Sequence, residues 1–302
     1  MNILHIHDQA GVACILAKFQ EMQGAKTKVI SLVGSDKYSI KEYYKDKVDL
    51  VEKDIFYRYC LNEADTYDII HVHSVEAMVL KLRKKYGNKK KIILHYHGTD
   101  LRGAYKKRRS LEFRLKRFGV RIKNRLVLLS NGYTESLQHT VQKLSDKVLV
   151  STPDLAQLAG NSIYLPNPID TELFNKNKNG IKLDDKYDAI TIKTEAIDIQ
   201  KTLDYIKENN LNYNIYVYDR MSNPIKYPNM PYLLKKYNTY VDLRFVKGEL
   251  LQNLSKTALE SLACGLEVLN YQLKYIKQLS PEHEPHNVVN KLFNIYSDIK
   301  KK

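Results

Sequence analysis

Three β-rich runs end on histidines at every second position: His5-Ile6-His7-Asp8, His71-Val72-His73-Ser74 and His95-Tyr96-His97-Gly98-Thr99-Asp100. Alternation along a strand turns both imidazoles of a pair to one face, and parallel pairing would bring all three ends to one sheet edge, where ligands of doubly wound sheets bind. Imidazoles crowded at such an edge can ligate zinc or iron. Each pair faces a different neighbour, however, and only Asp8 and Asp100 would complete a shell, so a metal site is the minority reading and none is assigned. His5, His71 and His95 read instead as buried, neutral and hydrogen-bonded. His97 precedes Gly98, where strand becomes loop, and is the imidazole placed to meet a ligand, with Asp100 orienting that loop or binding acceptor hydroxyls.

A second constellation suits anion chemistry. Ser255-Lys256-Thr257-Ala258-Leu259-Glu260-Ser261-Leu262-Ala263-Cys264-Gly265 combines a helix start, an acid within the first turns and a glycine stop. An open helix N-terminus carries positive partial charge and unpaired N–H donors, so a phosphate beside Ser255, Lys256 and Thr257 would be held by dipole, hydrogen bonds and an ammonium group together. Glu260, one turn deeper, would then accept from ribose hydroxyls. The plainer alternative is that Thr257-x-x-Glu260 is a capping box serving only the helix. After His7, the turn Asp8-Gln9-Ala10-Gly11-Val12 adds a single-glycine phosphate-loop candidate, short of a dinucleotide fingerprint.

The elements that must carry these residues follow from composition and period. The chain has 302 residues, 43% of them hydrophobic, enough for two medium α/β domains with a core in each. Three scattered cysteines (Cys14, Cys60, Cys264) indicate neither a disulfide framework nor a thiolate metal site. No apolar run approaches membrane-spanning length, and Met1-Asn2-Ile3-Leu4-His5 lacks a signal-peptide layout, so a soluble cytoplasmic chain is expected. Strands are predicted at Asn2 to His7, Thr27 to Val33, Asp68 to His73, Lys91 to His97 and Lys147 to Ser151, with helices at Val12 to Gln23, Val75 to Tyr86 and Tyr105 to Phe118. Arg125 to Leu144 reads either way. Prolines at 153, 166 and 168 mark a linker, and a boundary is placed near Asp170. Beyond it, strands are expected at Ala189 to Lys193, Tyr213 to Tyr218 and Val241 to Val246, and helices at Ile199 to Glu208, Met230 to Tyr237, Leu250 to Cys264 and His286 to Ile299. The expected domains are 1–168, 169–285 and a closing helix, 286–302.

The net charge of +15 is concentrated. Between Lys81 and Arg125 eighteen Lys or Arg stand against Asp100 and Glu112, a local +16 that leaves −1 for the rest of the chain. Leu111, Leu115, Phe118 and Ile122 recur there at helical spacing with Arg108, Arg109, Arg114 and Arg117 between them, a basic amphipathic helix suited equally to an anionic membrane surface or to packing on its own domain with a solvated back. Nucleic acid is the less favoured partner, because no recognised nucleic-acid motif accompanies the charge.

Two α/β halves, His97-Gly98-Thr99-Asp100 after the fourth strand, Pro166-Asn167-Pro168-Ile169-Asp170 at the junction and Glu260-Ser261-Leu262-Ala263-Cys264-Gly265 together resemble retaining glycosyltransferases of the GT-B fold, of the family 4 type. The resemblance implies two Rossmann-like domains facing a central cleft, with Asn167 and Pro168 at the hinge, a first half binding the acceptor and a smaller second half binding a nucleoside diphosphate sugar. Glu260 matches the second of that family's two glutamates and would hold the ribose. The first falls at position 252, here Gln252. The family's diphosphate-binding arginine and lysine are matched only by Lys193 and Lys201. The implied reaction is metal-independent hexosyl transfer with retention, without a cofactor beyond the donor substrate, in which Ser255, Lys256, Thr257 and Lys193 stabilise the departing diphosphate and His97 contacts sugar or acceptor. The implied acceptor is a glycan, lipid-linked or part of a polysaccharide under synthesis, reached at the inner membrane face. Two other classes fit parts of the sequence: a metal-dependent hydrolase built on the His-x-His strand ends, and a catalytically silent, membrane-attached binding protein.

Overall fold

The computed structural model describes residues 1–98, 100–101, 138–177, 181, 183–195 and 197–301. The chain divides into two compact units: Met1–Val33 with Lys47–Pro166 and Lys291–Lys302, and Gly34–Asp46 with Asn167–Asn290. The split between Pro166 and Asn167 lies at the proline-marked linker. One part of the expected domain plan is corrected: Gly34–Asp46 belongs with the second unit, although sequence order puts it in the first half.

The first unit holds a seven-stranded parallel sheet of β1 (Asn2–Ile6), β2 (Lys26–Leu32), β3 (Val48–Val51), β4 (Ile69–His73), β5 (Lys91–Tyr96), β6 (Lys147–Val150) and β7 (Ile163–Tyr164) in the order β3-β2-β1-β4-β5-β6-β7. Central strands such as β4 are buried along their whole length, which is why they read as near-continuous apolar runs. On one face Leu4, Ile6, Val72, Leu94 and Tyr96 pack with Phe56 and Cys60 of α3 (Phe56–Glu63) and Met78, Val79 and Leu82 of α4 (Glu76–Tyr86). Burying these side chains contributes roughly 1.5–3 kcal/mol apiece for the larger ones. The opposite face carries His5, His71, His73 and His95, all fully buried.

β3 and α3 lie between the second and third predicted strands and were missed, because Val48-Asp49-Leu50-Val51 is short and half exposed. α1 (Val12–Met22) follows β1 through Gly11 at φ 81°, a left-handed conformation that only glycine adopts without strain. The four-residue α2 (Ile40–Tyr43) lies in the segment that joins the second unit.

The second unit has a five-stranded sheet in the order β14-β13-β10-β8-β9, from β8 (Ala189–Lys193), β9 (Ile215–Asp219), β10 (Thr239–Val241), β13 (Glu267–Leu269) and the antiparallel edge strand β14 (Tyr275–Ile276). Its helices are α5 (Ile199–Glu208), α6 (Met230–Leu234) and α7 (Lys256–Ala263). The predicted strand Val241 to Val246 breaks at Asp242. A hairpin of β11 (Phe245–Val246) and β12 (Glu249–Leu250) follows, turning through Lys247 at φ 54° and Gly248 at φ 86°. Two consecutive positive φ angles are what a two-residue hairpin turn requires. The hairpin also corrects the helix predicted from Leu250, since α7 begins only at Lys256.

Helix α8 (Pro285–Lys300) closes the chain, its residues from Lys291 onward clustering with the first unit. Among the described residues no helix is long and apolar enough to cross a membrane. The predicted helix Tyr105 to Phe118, Arg108, Arg109, Arg114 and Arg117, and most of Arg125 to Leu144 lie outside the described residues; 138–144 is helical.

Candidate active site

In the second unit, Ser255 caps α7: its Oγ accepts from Ala258 N at 2.9 Å, and its own N–H donates to Asp242 Oδ2 at 2.8 Å. Thr257 lies inside the helix, where its carbonyl accepts from Ser261 Oγ, so the Thr257–Glu260 capping box does not form. At the other end Gly265 takes φ 85°, Leu266 N donates to Ser261 O and Gly265 N to Leu262 O, the paired bonds of a Schellman stop.

Glu260 is thereby released from any capping duty. Its side chain is buried on α7, 7% exposed, with Lys256 Nζ 3.5 Å from Oε1. Burial pushes its carboxyl above the usual range, while the charges of Lys256 and Arg220 pull it back. Arg220 follows β9 directly and lays its guanidinium 3.5 Å from the ring centre of Tyr38, a residue of the Gly34–Asp46 segment. Lys256 Nζ stands 5.4 Å over the ring of Tyr227, and Tyr227 N donates to Tyr38 O at 2.7 Å. A buried carboxylate thus feels the charge of two cations, each resting on an aromatic face.

The remaining donor-side candidates lie elsewhere in this unit. Lys193 Nζ is bonded to Asp219 Oδ2 at 2.8 Å, and that pairing holds the Asp219 carboxyl down at about 2. Lys201 Nζ donates to Gly248 O at 2.7 Å and sits over Phe245. Gln252 is exposed on the loop before α7. That loop is tied down by Arg244, which pairs with buried Asp242 at 3.0 Å and donates to Asn253 Oδ1. Asn167 accepts from His283 Nδ1 through its carbonyl at 2.9 Å, and Pro168 follows it within the same unit. Sequence reasoning passed over Arg220, Tyr38, Tyr227 and Asp242. Arg220 had a signal in being the basic residue next to a strand end; Tyr38 had none.

In the first unit the strand ends are organised by two carboxylates. Asp8 accepts from Gly11 N and Ala13 N at 2.9 Å each and from Cys14 N at 3.4 Å, so the Gly11 N–H of the phosphate-loop candidate is spent on the loop itself. Asp100 accepts from Ser74 Oγ at 2.6 Å, Gly98 N at 2.7 Å, His97 N at 2.9 Å and Leu101 N at 3.0 Å. Its geometry is that of a loop organiser.

Five of the six paired histidines join one network. His7 leaves the alternation at φ 70°, and the other five are threaded together by cross-strand register, which sets His5 opposite His71 and His73 opposite His95. Gln20 Oε1 meets His5 Nε2 at 2.8 Å, His5 Nδ1 meets His73 Nε2 at 3.0 Å, and His73 Nδ1 meets His97 Nε2 at 2.9 Å. Ser151 Oγ lies 2.8 Å from His97 Nδ1 and 3.0 Å from His95 Nε2. His95 Nδ1 meets His71 Nε2 at 3.2 Å, His71 Nδ1 meets Tyr296 OH at 2.8 Å, and Gln20 Nε2 donates to Tyr296 OH at 3.4 Å. The path returns to its start. Burial lowers His5 to about 4 and holds His71, His73 and His95 well below the ordinary imidazole range, so these four are neutral. Their side-chain atoms crowd closely enough that His5, His71 and His73, or His73, His95 and His97, could in distance terms surround an ion.

No family model and no curated protein matches this chain. Among solved structures it is similar to an alpha-glucosyltransferase in complex with UDP and a 13-mer DNA containing a central A:G mismatch, at 12% identity over 99% of this chain and 91% of that one, with a TM-score of 0.55. The chain has the GT-B fold. An alpha-glucosyltransferase in complex with UDP (12% identity, 89% and 80% covered, TM-score 0.49) and the UDP-GlcNAc 2-epimerase of Neisseria meningitidis bound to UDP-GlcNAc (14%, 98% and 92%, TM-score 0.46) are more distant. At these identities the likeness speaks for architecture alone. Within this GT-B chain, the second unit offers the cation-flanked carboxylate and the first the histidine-lined sheet face.

Proposed function

We propose that this chain transfers a hexose from a nucleoside diphosphate sugar with retention at the anomeric carbon, by a metal-independent route. The observation that carries the reading is the buried Glu260 carboxylate, free of any capping role and set beside Lys256 and Arg220. In this scheme Glu260 accepts from the ribose hydroxyls, and Arg220 and Lys256 take the diphosphate, whose charge grows as the glycosidic bond breaks. Ser255 and Thr257 border that position at the head of α7. Lys193 and Lys201 are the lesser candidates, since each would have to leave the partner it already holds. Retention and family 4 membership rest on the sequence resemblance. The test is a screen of sugar nucleotides for thermal stabilisation and slow release of nucleoside diphosphate. A transferase gives both with one donor class; a chain that gives neither refutes the reading.

The hydrolase alternative needs imidazole lone pairs aimed at a common point. All ten ring nitrogens of the five networked histidines are instead directed at hydrogen-bond partners.

For the acceptor, the +16 run between Lys81 and Arg125 supports a polyanion or an anionic surface. A lipid-linked glycan at the inner leaflet is the first reading, with the chain peripheral there. DNA is a second, favoured by one observation: the similar alpha-glucosyltransferase was solved with a DNA 13-mer.

A further inference from the structure

Gln20, Tyr296, His71, His95, Ser151, His97, His73 and His5 form a closed circuit of eight hydrogen bonds with the distances given above. Five of these groups come from β1, β4 and the end of β5; Ser151 follows β6, and Gln20 and Tyr296 reach down from α1 and α8. The pairs joined nitrogen to nitrogen have ring centres 5.1–5.3 Å apart, the spacing of imidazoles linked edge to edge, while His71 lies face to face on His73 at 4.4 Å.

A neutral imidazole has one donor nitrogen and one acceptor nitrogen, and a hydroxyl donates once while accepting. In a closed circuit of such groups the direction of one bond dictates all the others. Gln20 sets it, because its Nε2 can only donate, to Tyr296, and its Oε1 can only accept, from His5. Tyr296 OH then donates to His71 Nδ1, His71 Nε2 to His95 Nδ1, and His95 Nε2 to Ser151 Oγ. Ser151 OγH donates to His97 Nδ1, His97 Nε2 to His73 Nδ1, His73 Nε2 to His5 Nδ1, and His5 Nε2 to Gln20 Oε1. Each of the eight bonds then joins one donor to one acceptor, and the second N–H of the Gln20 amide stands outside the circuit. Turning the amide round would reverse every arrow and give Nδ1–H throughout, so a uniform tautomer is a property of closure itself.

We propose that this ring is a tautomer lock: it holds His97, its one half-buried member, as a neutral imidazole with both nitrogens turned inward, so that His97 positions Asp100, which accepts from its backbone N–H, and acts neither as acid or base nor as a metal ligand. The lock does not rest on the function proposed above. A proton added to any member would make both its nitrogens donors and set two donors against each other, which in a buried network costs the full penalty of an unmet pair. The other ionisable groups bearing on the ring are Asp8, whose charge favours protonated His5, Asp100, which accepts from the His97 backbone N–H, and Tyr296, whose phenol burial keeps protonated.

The test is long-range ¹H–¹⁵N correlation of ¹⁵N-histidine-labelled full-length chain from pH 6 to 8, with His7, His139, His283 and His286 as internal references. The expected result is five ring histidines sharing one neutral tautomer, unchanged across the range, with Zn²⁺ added at equimolar concentration leaving their shifts in place. Gln20→Leu removes the directing amide and should give all five a mixture of the two tautomers. Mixed tautomers in the unaltered chain, titration of His97 with a midpoint near 6.5, or displacement of the ring signals by zinc would each overturn the lock. None of these readouts depends on sugar transfer: if the chain releases no nucleoside diphosphate while the tautomers are uniform, the function falls and the lock stands.

Discussion

Lys256 Nζ lies 3.5 Å from Glu260 Oε1, one turn apart on α7, and both side chains are largely withdrawn from water at 15% and 7% exposure. Ion pairs this dry are poor contributors to stability, because desolvation offsets most of the Coulomb gain. Removing only one partner leaves the Lys256 charge uncompensated, so Glu260→Ala is expected to lower the Tm of the free protein and, beyond that, to abolish stabilisation by a sugar nucleotide. Thermal melts with and without donor decide it; normal donor binding with a lowered Tm would make Glu260 a structural residue.

Arg220→Ala and Lys256→Ala each remove one cation from beside that carboxylate. Either should weaken nucleoside diphosphate binding by 10-fold or more, the equivalent of ~1.4 kcal/mol, and affect the nucleoside alone far less. Calorimetric titration with diphosphate and monophosphate forms separates the two. Equal losses for both ligands would place the cations away from the β-phosphate.

Ser255→Ala should cost ~1 kcal/mol through the lost bond to Ala258 N, seen as a lower denaturant midpoint with an unchanged slope. Gln252 sits exposed on the preceding loop, and Gln252→Glu restores the charge found in the resembled family. A changed donor preference or turnover is expected. The same donor profile in both proteins would show that position 252 does not touch the sugar.

The histidine ring makes stability depend on pH. Its buried members have folded pKa values below the ordinary 6.5, His5 at about 4 and His71, His73 and His95 well below that ordinary value through burial, so as pH falls below 6.5 the unfolded chain binds protons that the folded chain refuses. The stability these groups contribute is fully present above pH 6.5 and is lost as pH falls. Four such groups give a slope of up to ~5 kcal/mol per pH unit in that window. Urea unfolding at pH 7.5, 6.0 and 5.0 should show the decline steepening; a flat profile would contradict neutral burial.

Acceptor binding should be strongly salt-dependent if the basic run between Lys81 and Arg125 is the contact. Flotation with acidic vesicles and gel shift with short DNA, each at low and at 0.15 M salt, are the measurements, with Arg108, Arg109, Arg114 and Arg117 replaced by Gln as the comparison. Screening acts over about 8 Å at the higher salt. Retention of either ligand by the four-fold variant would assign the run to a solvated face.

The sequence by itself determined the α/β class, the two-unit plan and the glycine stop of α7, because alternation, helical period and Gly265 act over a few residues, whereas the start of α7 at Lys256 needed the hairpin before it. It also determined that His71 and His73, and His95 and His97, turn to one face, while His7 departs from the alternation expected of it. Which strands neighbour each other, and in what register, is decided by crossovers tens of residues long, so the contacts of His5 with His73 and of His71 with His95 became visible only in the fold. Closure of the ring needed Tyr296, 225 residues from His71, and no local pattern encodes such a pairing. The same holds for Tyr38, which sequence order assigns to one half and packing to the other unit, where its ring covers Arg220. Glu260 shows the limit most plainly: its spacing from Thr257 permitted a capping box, and only the position of Ser255 as the actual cap left the carboxylate for other use. Short-range rules give the candidates, and burial with long-range hydrogen bonding chooses among them, because desolvation depends on everything packed around a group rather than on its neighbours in the chain.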